Sequence, residues 1–100
     1  MPRVRQYTPE LRAEDARRRQ ADRNRDIIVA ACKVSDYKSL AGLSRELGVS
    51  YSSLYQSLRL GSIRAVDMAK VIRLLELDAD TVQALMGNPK RCRYEKGYVA

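Results

Sequence analysis

LAGLSRELGVSYSSLYQSL, residues 40–58, is the stretch whose reading decides the fold. Leu43 and Leu47 lie four apart and share one face of a helix, as do Leu54 and Leu58 further on. Between the pairs, Gly48 is the residue type that ends a helix in the left-handed conformation at low steric cost. Val49 is apolar and suited to plug the gap between two helices, and Ser50 is a good N-cap for the second. Ser44 is small and falls on the inner edge of the first helix, where a crossing helix comes close. The spacing predicts two short helices joined by a tight bend.

Two helices joined in this way form a helix-turn-helix, whose second helix is the usual reader of a DNA groove. Leu43, Ser44, Leu47, Gly48, Val49, Ser50, Leu54, Leu58 and Gly61 resemble the motif of the Cro and phage-repressor (XRE-like) family. The resemblance runs from about Ile27 to Met86, because that family adds one helix before the motif and two after it. It implies a lambda-repressor-like DNA-binding domain, double-stranded DNA as partner, a homodimer, and a role in phage or mobile-element transcription control. One departure stands out. The family often opens the first motif helix with a Gln that touches phosphate, and this chain has Leu40 there.

Composition narrows the alternatives. One hundred residues with a 45% apolar share make one domain with a small core. There is no His, Trp or Phe. Lacking His, the chain has neither a neutral-pH acid/base catalyst nor the commonest metal ligand. No Gly-rich phosphate loop or carboxylate pair on an apolar wall replaces it, so neither an enzyme nor a cofactor, metal or small-molecule substrate is expected. Cys32 and Cys92 lie sixty positions apart and form no ligand cluster. Reduced thiols are expected, with Cys32 a small buried hydrophobe and Cys92 in a mobile basic tail. No apolar run approaches the ~20 residues of a membrane span, and the start lacks the apolar core of a signal peptide. A soluble, cytoplasmic protein is the expectation.

The net charge is +7, unevenly spread. Residues 1–26 hold eight Arg against five acids, residues 27–89 seven bases against six, and residues 90–100 four against one. Basic ends around a balanced centre suit a polyanion; the other reading is that they are merely solvated.

The chain is accordingly expected to be all-α. A basic arm and helical extension (1–26) precede a five-helix bundle (27–87), and a basic tail (88–100) follows. Met1–Tyr7 reads as a flexible arm. Thr8-Pro9-Glu10 starts a helix that is mostly charged to Asp26, held by Glu14–Arg18 and Asp15–Arg19 pairs, and expected to run on into the core. Ile27, Ile28, Ala31 and Cys32 form the apolar face of the first core helix. Ser35–Lys38 is a polar connection, and Ser39 caps the first motif helix. Ala65–Glu76 carries the strongest helical pattern, through Met68, Val71, Ile72 and Leu75. Asp78 caps a last helix with Val82, Leu85 and Met86 inward, stopped by Gly87-Asn88-Pro89.

With Leu54 and Leu58 inward, Gln56 and Ser52 point most nearly away, Ser53 and Arg59 come next, and Tyr55 lies on the flank. Tyr51 falls in the first turn, where such helices touch base edges. These six are the expected base-contacting residues. Gln56 is the one able to pair two hydrogen bonds with adenine. Expected phosphate contacts are Lys38, Ser39, Arg45, Ser50, Ser62 and Arg64, with Arg17, Arg18 and Arg19 following the backbone or entering a minor groove. The last helix and the tail around Tyr94 and Tyr98 are candidate dimer surfaces. Other roles compatible with the residues are a DNA-binding antitoxin, a recombination accessory factor and a helical protein-interaction module.

Overall fold

Thr8 sets where the first helix begins. Its hydroxyl accepts from the Leu11 N–H at 3.3 Å, Pro9 occupies the first turn, and Glu10 complements the helix dipole. From there α1, Pro9–Val34, runs unbroken through the charged stretch and the core face. At 1.5 Å per residue it is about 39 Å long. The computed structural model describes residues 8–99; the arm expected at Met1–Tyr7 lies outside the described residues. Of the two ion pairs expected along the exposed part of α1, Glu14–Arg18 forms at 3.5 Å, whereas Asp15 and Arg19 do not pair with each other.

The described residues form an all-helical bundle with no strand. After α1 come α2 (Leu40–Leu47), α3 (Tyr51–Leu60), α4 (Ala65–Leu74) and α5 (Ala79–Leu85). Ile27, Ile28, Ala31 and Cys32 of α1 are buried with Leu40 and Leu43 of α2, Leu54 and Leu58 of α3, Val71 and Leu75 around α4, and Ala84 and Leu85 of α5. Half-buried Met68 and Ile72 pack against this cluster, so the expected apolar stripe of α4 faces inward. The helix itself stops at Leu74, and Glu76 turns the chain with a positive φ of 50°. In α5, Leu85 is inward as expected and Val82 is half-buried, but Met86 is not inward. Thr81, Ala84 and Leu85 are buried, while Met86 is 83% exposed because it is the C-cap, past the last helical turn.

Connections do more than join helices. Tyr37, in the Ser35–Lys38 segment, packs against the core, and Lys38 holds a left-handed φ of 62°. The Tyr37 carbonyl presses on α2 at Gly42, where a Cβ would overlap its oxygen. Glycine is therefore required at this third position of α2 by close approach of backbone, not by φ.

The C-terminal segment is not a free tail. Cys92 is fully buried in the core and Tyr94 packs against it, so Cys92 is not mobile as its basic neighbours suggested. The fastening is an ion pair between α1 and this segment. Arg23 Nε and Nη2 donate to the two carboxylate oxygens of Glu95, each at 2.9 Å, and the guanidinium also donates to the carbonyls of Asn88 and Lys90. Glu95 in turn accepts from the Cys92 N–H at 3.1 Å. Above this, Gln20 and Asn24 of α1 donate to the carbonyls of Ala84 and Leu85, closing the C-terminal end of α5. Both cysteines are free thiols, and burial pushes Cys32 up to about 11.

Two outcomes follow. Gly42→Ala should destabilise by roughly 1–3 kcal/mol, because the added methyl must displace the Tyr37 peptide; an unchanged denaturant midpoint would disprove the packing described. The second concerns pH. Hydrogen bonding from Arg23 holds the Glu95 carboxyl below its ordinary value, so this stabilisation is present above the unfolded carboxylate value of about 4.3 and is lost as pH falls through the lower folded value. Glu95→Gln should cost about 1.5–3 kcal/mol at neutral pH, with the gap to wild type closing in acid, as read from urea melts across pH.

Candidate nucleic-acid interface

The site begins with three capping contacts. Ser39 accepts from the Gly42 N–H at 3.2 Å and starts α2. Gly48, at a φ of 73°, closes α2 in the left-handed conformation. Ser50 accepts from the Ser53 N–H at 3.1 Å and starts α3. Val49 packs beneath the bend, and its N–H returns to the Ser44 carbonyl at 3.1 Å. Ser44 itself is buried, with its hydroxyl donating to Ala41. The two helices are thus joined by a short, fully capped turn, and the expected roles of Leu43, Gly48, Val49 and Ser50 are all borne out. Gly61, at φ 67°, ends α3 and lies against Ala21 of α1.

Burial then decides which side of α3 meets solvent. Leu54 and Leu58 are 3% and 1% exposed and fix the inner side. Ser52, Ser53, Gln56 and Arg59 are exposed, and no acidic residue occurs along α3. Among the described residues the Gln56 amide and the Arg59 guanidinium have no partner, which leaves their donors and acceptors available. Tyr51 is half exposed; Tyr55 is half-buried, and the two rings stack with centroids 6.1 Å apart. Ser53 is less free than expected, since its hydroxyl accepts from Ser50 at 2.8 Å.

Seven of the expected contact residues gather in two places. Lys38 and Ser39, at the start of α2, open onto the same cleft as Tyr51 and Tyr55. At the other end of α3, Arg59 shares a groove with Arg17 and Arg18 of α1. There Arg18 is offset by Glu14, while Arg17 carries no ion pair among the described residues. Arg19, Arg45, Ser62 and Arg64 are exposed but line neither hollow. Arg64 is already paired with Asp67 at 3.0 Å, which lowers its value to an incoming anion. Ser39 and Ser50 spend their hydroxyls on caps, and the Ser39 N–H already donates to the Tyr37 carbonyl, so what the start of α2 leaves for an anion is the amides that follow Ser39.

One residue and one contact are not expected from the sequence. Lys33, on the last turn of α1, lines the cleft beside Lys38. It lies on a stretch assigned wholly to the core. The Tyr51–Tyr55 stack was visible in principle, because the two are four apart on one helix.

Among the described residues no group of His, Cys, Asp or Glu converges as a metal site, and no helix is long and apolar enough to cross a membrane. What the arrangement can do chemically is offer hydrogen bonds and positive charge on one exposed helix between two basic hollows. No protein-family model, curated protein or solved structure matches this chain.

Proposed function

We propose that the protein is a sequence-specific regulator that binds double-stranded DNA and reads the major groove with α3, as repressors of phage or mobile elements do. The observation that carries this reading is the solvent face of α3. It is free of acid, offers the unengaged Gln56 amide and Arg59 guanidinium, and is held at a fixed angle by the capped turn at Gly48. Gln56 supplies paired hydrogen bonds to adenine, and Ser52, Ser53 and Arg59 add less selective contacts. Tyr51 and Tyr55 meet thymine methyls or sugar at the flank. Lys38, Arg45 and the amides at the starts of α2 and α3 hold phosphates, with Arg17 and Arg18 beyond the far end of α3.

One reader helix spans only a few base pairs. A homodimer on a two-fold site, with half-sites about 34 Å apart, then supplies tight binding. Within the candidate dimer surfaces, Met86 and Tyr98 are exposed, whereas Tyr94 is engaged by its own core. Repression follows from occupying a promoter in the cytoplasm.

Sites selected from random duplex, followed by gel shifts over a salt series, test this. Affinity should fall by several log units per log unit of salt. Gln56→Ala should lose about 1–3 kcal/mol of discrimination at one base pair, while Arg45→Ala should weaken all sequences alike and reduce the salt slope by about one. If both variants bind selected and random duplex as wild type does, α3 is not the reader.

A further inference from the structure

The cleft between the end of α1 and the starts of α2 and α3 has a character that phosphate contacts do not explain. Its floor and walls are Val29, Leu40, Tyr51 and Tyr55, and Lys33 and Lys38 stand on its rim. Its volume is about 480 Å³, within the range of sites that receive organic groups. No acid lines it, and neither lysine has an ion-pair partner among the described residues. In a duplex, phosphates would satisfy the rim and sugars or thymine methyls the two tyrosines, but no continuous apolar surface would reach Val29 and Leu40. An acidic amphipathic helix satisfies both. Its aliphatic side chains, spaced three and four apart, enter the floor, and flanking carboxylates meet the two lysines and the positive end of the α2 dipole. Tyrosine is also among the residue types that dominate protein interfaces, and here two stacked rings form one wall.

We infer that this cleft is the docking site for an acidic, amphipathic helix of a protein partner. Because Lys38, Ser39, Tyr51 and Tyr55 belong to both surfaces, the partner and duplex DNA exclude one another. The docking stands on the cleft alone; the exclusion rests on the proposed DNA-reading function. The partner is then an antagonist that releases the operator by covering one end of the reader helix.

The full chain, with its amide and tyrosine ring resonances assigned, is titrated with two synthetic peptides about four helical turns long. Both have the same Leu, Ala and Glu content; one places Leu on a single helix face and the other has the order shuffled. The patterned peptide should saturate, bind about tenfold or more tighter than the shuffled one, and shift Val29, Leu40, Tyr51 and Tyr55. Lys33→Glu combined with Lys38→Glu should lower that affinity about tenfold and transfer preference to a patterned peptide carrying Lys in place of Glu. These substitutions are on exposed side chains, and the unchanged core resonances report an intact fold. Absence of binding, equal binding of the shuffled peptide, or shifts that bypass the floor would overturn the inference in favour of charge alone. If duplex moves the floor resonances and the patterned peptide does not, the cleft belongs to nucleic acid and the inference falls. Duplex should displace bound peptide; simultaneous binding removes the antagonist role. If peptide docks and no duplex is bound at any salt, the docking stands and the DNA-reading function fails.

Discussion

Burial of Leu54 and Leu58 is the constraint from which most of this molecule follows. Two leucines four apart on α3 are driven against α1 and α2, and their removal from water is worth about 1.5–3 kcal/mol each. Once they are inside, the helix has no rotational freedom left, and Ser52, Gln56 and Arg59 must face out. The turn at Gly48 then sets the angle, and the serine caps prevent the short helices from fraying. Neither α2 nor α3 is long enough to be stable alone. Which side chains the outer face presents is thus a by-product of packing on the inner one.

Long α1 is the second determinant, since α2, α3 and α5 all rest on it. Its inward residues change character along its length. Near the C-terminal end they are Ile27, Ile28, Ala31 and Cys32, an apolar face against the core. Further up they are Gln20, Arg23 and Asn24, which reach across to carbonyls of α5 and the C-terminal segment. The transition explains how a stretch with few apolar residues continues as an ordered helix. Polar side chains hold it there by closing backbone groups that would otherwise lack partners.

The helical elements were legible in the sequence because their signals are local. Thr8, Ser39 and Ser50 cap where a three-residue pattern says they should, and Gly48 and Gly61 adopt positive φ where a helix must stop. The outward face of α3 was legible for the same reason, since it follows from period alone. Features that depend on tertiary contact are not legible in this way. Nothing near Cys92 marks it as core, because its burial depends on Arg23 meeting Glu95 seventy-two positions away. Gly42 and the Tyr37 carbonyl that requires it are only five positions apart, but they meet through the left-handed turn at Lys38, which no side-chain pattern announces. Lys33 was passed over because the cleft it borders is made by three helices.

The clasp between Arg23 and Glu95 bears on the order in which the bundle can be completed during synthesis. Helices α1 to α5 emerge first and can associate through their leucines, yet one wall of α1 stays uncovered until Cys92, Tyr94 and Glu95 have left the ribosome. Closing a loop over so many residues costs entropy that is repaid only when the Arg23–Glu95 contacts form, so this seam is the last part of the core that synthesis can complete. Until Glu95 is made, the Arg23 guanidinium would stand beside the seam as a charge of the kind that disfavours association with neighbouring chains.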